Sequence, residues 1–221
     1  MLAIGPPVEA AIIESVPEHR QIPVHRVDRR PVLIRRREDA RGQSLVEFAL
    51  VLIPLFVILL GIIQFGFIFN TYVTMTNAAR EGARTGTIYV YNRACTPAQN
   101  DMLRNEAIRS ALLSSMNLLG KTAPQFSTTA ASGSTCSLSG GWTAPVQTTV
   151  NGAVVMTSTN GDLTVSYTQV GSSTPDTRSG QQVTVHANYH EDLIVPLISS
   201  FLPKDAGGRM VLTGEVTMVI N

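Results

Sequence analysis

From Phe48 to Phe69 the chain has no charged side chain, and Gln64 is the only clearly polar one. A water-soluble amphipathic helix would show a polar stripe with a 3.6-residue period, and this run shows none. Coiled at 1.5 Å per residue it covers about 33 Å, close to the ~30 Å hydrocarbon core of a bilayer. Pro54, Gly61 and Gly66 would weaken a soluble helix, but such residues are tolerated in membrane spans. The pattern therefore predicts a transmembrane helix over about 48–69. Asn70 to Ile88 has no proline, so the helix is expected to continue outward. There Ala78, Gly82 and Gly86 recur every four residues, widened by Ala79 and Ala83. Such a strip lets another backbone approach closely, either the protein's own sheet or a neighbouring subunit's helix. Arg80, Glu81 and Arg84 beside it read equally well as an ordinary solvated face.

The pattern then changes. Thr96-Pro97-Ala98-Gln99 has the form of a helix start, with Thr96 as cap, Pro97 in the first turn and Gln99 closing a capping box. Ile108, Leu112, Met116 and Leu119 supply an apolar face, and Gly120 is expected to stop the helix. Ala123 to Trp142 is rich in Ser, Thr, Gly and Ala and reads as irregular and exposed. Asn151-Gly152 and Asn160-Gly161 are hairpin signals between β-prone runs. Leu163-Val165-Tyr167 and Val183-Val185-Ala187-Tyr189 alternate with polar residues, and Val211 to Ile220 offers a last strand. The expected fold class is α+β: a long N-terminal helix, a second helix, and a small antiparallel sheet in a head domain. The expected domains are a basic leader over 1–42, a transmembrane and stalk helix over 43–88, and an extracytoplasmic head over 89–221. Within the leader, Met1 to Pro31 is punctuated by prolines without clear periodicity, which suggests disorder.

Composition changes little until it is resolved along the chain. The 221 residues carry 17 Lys and Arg against 16 Asp and Glu, a net charge of +1. That near-neutrality hides an asymmetry. Between Arg20 and Gly42, Arg20, Arg26, Arg29, Arg30, Arg35, Arg36, Arg37 and Arg41 stand against Asp28, Glu38 and Asp39, whereas the two signs balance beyond Phe69. The positive-inside rule keeps the N-terminus in the cytoplasm and sends the rest outside. A cleaved secretory signal fits less well: the basic region and the apolar run are both too long, and no small-x-small site follows directly. No basic patch beyond the span points to nucleic acid.

Candidate chemistry is sparse. Cys95 and Cys136 both fall in the exported part, where a disulfide between them is expected over free thiols. His186 and His190 would share a strand face, but two histidines without a third ligand make a poor metal site. No phosphate-binding glycine loop, HExxH, GxSxG or Cys/His pair is present. No catalytic, cofactor-binding or metal residues are expected.

The segment Ala40-Arg41-Gly42-Gln43-Ser44-Leu45-Val46-Glu47-Phe48 is more informative. Ser44 to Glu47 has the form of a capping box, and an acid suits the positive end of a helix dipole. Capping does not explain a carboxylate at the membrane edge with apolar residues behind it, where an ionisable group is costly and a functional suspect. A cut after Gly42 would give Gln43 a new ammonium group, which the Glu47 carboxylate of a neighbouring copy could meet.

In these residues the sequence resembles the class III prepilin leader, in which a prepilin peptidase cuts after glycine and glutamate is the fifth mature residue. Arg41 through Leu50 leading into Pro54, with Asn77-Ala78-Ala79-Arg80-Glu81-Gly82-Ala83-Arg84 after the span, resembles the TadE-like family of pseudopilins of tight-adherence (Flp, type IVb) pilus systems. Phe48 stands where many members have tyrosine, and the leader is long for the family; a start codon near Val24 or Val32 would shorten it. The resemblance implies processing at Gly42 and Gln43, an assembly role for Glu47 and Phe48, and helix packing through Ala78, Gly82 and Gly86. Implied partners are a prepilin peptidase, other pilin or pseudopilin subunits, the tight-adherence membrane machinery and the lipid bilayer. The implied location is a bacterial cytoplasmic membrane, single-pass with the head outside, followed by transfer to a pilus. The competing expectation is an unprocessed single-pass anchor that presents a binding or adhesive domain.

Overall fold

The computed structural model describes residues 39–116, 119, 125–169, 178–195, 200 and 202–221. The expectations for Met1 to Pro31, for the arginines before Asp39 and for Gly120 lie outside them. The chain divides into two compact units, Met1–Val46 and Glu47–Asn221. In the first, the described residues are the opening turns of helix α1, which extends over Asp39–Thr87. Ser44 thus lies inside α1 and is not its N-cap in the uncut chain, which corrects the capping reading. Gly42 costs a helix only about 1 kcal/mol relative to alanine, too little to break it among Ala40, Arg41 and Gln43.

The second unit holds the rest of α1 and the α+β head. Helix α2, Pro97–Ser115, starts with the full capping box: the Thr96 hydroxyl accepts from the Gln99 amide, and the Thr96 amide donates to Gln99 Oε1 at 2.8 Å. Met116 is its C-cap, so the described helix ends before the position where Gly120 was expected to end it. Two short strands follow, β1 (Ser132–Ser134) and β2 (Ser137–Ser139), paired antiparallel. The segment expected to be irregular therefore contains a small ribbon around Cys136, and Phe126 within it is buried in the core.

The main sheet comprises β3 (Val146–Val150), β4 (Ala153–Asn160), β5 (Leu163–Thr168), β6 (Gln182–Glu191) and β7 (Met210–Val219). Its spatial order is β3-β4-β5-β6-β7, each pair antiparallel. Asn151 and Gly152 both adopt positive φ, the requirement of a tight type I′ hairpin, and Val150 pairs with Ala153 across them. The second hairpin turns at Gly161-Asp162, with Asn160 paired to Leu163.

One face of the sheet makes the core. Leu163, Val165 and Tyr167 of β5 and Val183, Val185, Ala187 and Tyr189 of β6 point inward at period two. Against them pack Met75, Ala78, Ala79 and Ala83 of α1 and Ile108, Leu112 and Met116 of α2. The covered stripe on α1 begins earlier, at Gln64, Ile68 and Thr71, and continues at intervals of three and four to Gly86. That spacing is one face of a helix. The head therefore lies along α1 from Gln64 onward.

Candidate processing and assembly site

Gly42, Gln43, Glu47 and Phe48 are all exposed along α1. A Cβ built on Gly42 meets nothing within 4 Å among the described residues. Its helical backbone does not demand glycine either. Beyond Glu47 the helix is apolar and uncovered: Leu50, Ile53, Phe56, Leu59 and Ile62 all face outward. None of this apolar stretch is buried against the rest of the described protein. Large apolar side chains in such a row need a non-aqueous surrounding.

The small-residue strip has a partner within the chain. Ala78 is fully buried, and Gly82 and Gly86 face α2. A Cβ on Gly82 would sit 3.4 Å from the Ile108 backbone oxygen; one on Gly86 would sit 2.8 Å from Ile108 Cδ1. Gly214 of β7 makes the matching approach from the sheet, where a Cβ would lie 2.8 Å from the Met75 carbonyl oxygen. Arg84 and Glu81 pair at 3.2 Å on the exposed side, worth little in water.

Cys95 and Cys136 form a disulfide with Cα atoms 5.3 Å apart. It fastens the β1–β2 ribbon to the residue preceding the Thr96 cap.

The inner face of α2 holds a polar cluster that the sequence reading missed. Arg104 is 2% exposed and lies between two aromatic faces, 5.0 Å from the Tyr89 ring centroid and 5.7 Å from that of Tyr167. Arg178 covers Tyr167 as well and donates twice to the Asp101 carboxylate, at 3.0 and 2.6 Å. The Tyr167 hydroxyl donates to Asn105 Oδ1, and that of Tyr89 to Asn100 Oδ1. Burial pushes the Tyr167 phenol well above its ordinary range and raises Tyr89 less strongly. For Arg178, burial works against the charge, but the hydrogen bonds and charge of Asp101 prevail and raise its pKa. Only helical register could have flagged the cluster: Asp101, Arg104 and Asn105 share the face of Ile108 and Leu112.

Glu106 is a second hub. It accepts from Arg109, from the Trp142 indole at 3.1 Å and from the Ala131 amide at 3.2 Å. Burial pushes its carboxyl up, yet these donors outweigh burial and hold it below the usual value. On the outer face His190 is clasped between Asp205, at 2.6 Å from Nδ1, and Asp162, at 3.1 Å from Nε2. His186 lies on the same strand face but does not join the clasp. Among the described residues no group of three His, Cys, Asp or Glu side chains could hold a metal ion. A cleft of about 320 Å³ opens between the α2 N-terminus and β3–β4, and its charged residues, Asp101 and Arg178, are bonded to each other.

Together these features define a class: a protein with a helix long and apolar enough to cross a membrane, carrying an α+β head on its C-terminal half. The family model described as TadE-like protein matches residues 42–84, from the glycine of the motif to the last basic residue of α1. Over that segment, which includes the apolar helix, the chain is similar to the TadE-like family. No curated protein and no solved structure matches the chain.

Proposed function

We propose that this chain is a pseudopilin-like membrane protein, cut by a prepilin peptidase between Gly42 and Gln43 and used in assembling a tight-adherence (Flp, type IVb) pilus. The observation that carries the reading is the extent of the family match. It begins at Gly42, where an added Cβ would meet nothing within 4 Å among the described residues. An enzyme that cuts after a small residue gives a reason for glycine at that place.

In this reading residues 1–42 form a cytoplasmic leader and the head lies outside a bacterial cytoplasmic membrane. After cleavage the Gln43 ammonium of one copy meets the Glu47 carboxylate of another, relieving the cost of a charge at the membrane edge and setting subunit register. The apolar face of α1 holds the subunit in lipid and afterwards against neighbouring helices. The role is structural, and no step of it needs catalysis by this chain.

Mass spectrometry of the mature N-terminus tests the reading. A chain beginning at Gln43 in cells with an active prepilin peptidase is expected. An intact leader in those cells overturns it in favour of a permanent anchor.

A further inference from the structure

Gln64 interrupts the apolar run, yet it is 1% exposed because the head covers it. Its Oε1 accepts the backbone N–H of Ile194 at 2.9 Å. Two helical turns further on, the Thr71 hydroxyl donates to Glu191 Oε2 at 3.1 Å. The chain leaving β6 thus runs down α1 from the level of Thr71 to that of Gln64, a descent of about 10 Å. At its foot the aliphatic side chain of Ile194 is 67% exposed, and Phe65, Phe67 and Phe69 of the neighbouring turns of α1 are exposed as well.

Depth identifies what surrounds Ile194. Gln64 lies seventeen residues after Glu47 on the same helix, about 26 Å along its axis, inside the ~30 Å a hydrocarbon core occupies. Thr71 and Glu191 fall about 36 Å along, past that boundary. The apolar tip of the descending segment therefore reaches lipid depth, while the carboxylates of Glu191 and Asp192 remain in the head-group layer. Tyr72, exposed one residue after Thr71, sits where membrane interfaces concentrate amphipathic rings. Capping by Gln64 also supplies the Ile194 amide with the partner that non-helical backbone needs at that depth.

We propose that the head is not held clear of the membrane on a bare stalk but is seated in the outer boundary of the bilayer, with the Leu193–Val195 segment inserted and Ile194 in the hydrocarbon edge. The partner is the lipid surface itself. The inference rests on the reading that α1 spans a membrane, so the test separates the two. The full chain is reconstituted in phosphatidylcholine–phosphatidylglycerol vesicles containing phosphatidylcholine brominated either near the head group or near the chain ends. Ile194→Trp and Phe56→Trp are compared with the parent chain, whose own Trp142 packs against the head core. Both substituted side chains are exposed, so neither change requires repacking. The expected result is stronger quenching of the Ile194→Trp emission by the shallow bromines and of the Phe56→Trp emission by the deep ones. Quenching at Phe56→Trp with parent-like emission at Ile194→Trp overturns the seating and leaves the span intact. Parent-like emission from both overturns the seating and the span together.

Discussion

Gly86 of α1 and Ile108 of α2 approach so closely that a Cβ on the glycine would lie 2.8 Å from Ile108 Cδ1 and 3.1 Å from its Cγ1. Four residues earlier, a Cβ on Gly82 would meet its neighbours at 3.4 Å, ordinary contact. The two glycines should therefore respond oppositely to alanine. Gly82→Ala gains up to about 1 kcal/mol of helix propensity with nothing to displace. Gly86→Ala sits at the helix end, where that gain is smaller, and must push a fully buried isoleucine, an overpacking cost of about 1–3 kcal/mol. Thermal unfolding should rise for the first variant and fall for the second. Ile108→Val, which removes Cδ1, should lessen the loss in the Gly86→Ala background; equal losses with and without it would show that this contact is not the cause.

The Asp101–Arg178 pair is nearly enclosed and doubly hydrogen-bonded. Asp101→Asn leaves a buried guanidinium without its counter-charge and should cost about 3–5 kcal/mol. Asp101→Leu combined with Arg178→Met removes both charges and should cost less than the single change. Denaturant unfolding of the detergent-solubilised chain, followed by the Trp142 signal, would decide. A double variant as unstable as Asp101→Asn would show that the pair contributes more than relief of a stranded charge.

Glu106 gives the head an acid limit. Its folded-state pKa lies below the unfolded value, so its contribution is complete above the unfolded pKa, about 4.3, and disappears as pH falls through the folded one. Stability measured from pH 6 downward should fall more steeply in the parent than in Glu106→Gln once the pH passes below about 4.5. Parallel curves would assign the acid sensitivity to other carboxylates.

The proposed assembly role separates two residues that share one segment. Gly42→Val should block maturation, because added bulk at the cut hinders the peptidase while leaving the exposed helix undisturbed; unchanged processing on an immunoblot would argue against the site. Glu47→Ala should be processed like the parent but give few pili by electron microscopy. Normal piliation would reduce Glu47 to a favourable charge near a helix start.

Legibility in the sequence followed the range of the interaction concerned. The α2 cap was readable because Thr96, Pro97 and Gln99 satisfy one another within a single turn. The hairpins were readable because only residues such as Asn151 and Gly152 accept positive φ cheaply. The Ala78, Gly82 and Gly86 strip announced a close approach without saying to what, since small side chains permit any backbone to come near. The ribbon around Cys136 was obscured because serine-rich strands look like loops. Arg104 was invisible because a buried arginine has no compositional signature: its place depends on Tyr89 and Tyr167 arriving on either side.

The sequence alone determined the length of the apolar helix, the basic flank before it, the glycine and glutamate of the motif, and the alternating strands. Each follows from local geometry or from transfer of side chains between water and apolar surroundings. The tertiary structure decided which face of α1 is covered. Every residue around Gln64 is apolar, so no local pattern marks its face. The partner of Gln64, Ile194, is 130 residues away along the chain. Only closing the sheet onto α1 brings the two together, because contacts over such a separation come from the packed core and not from either segment's own preference.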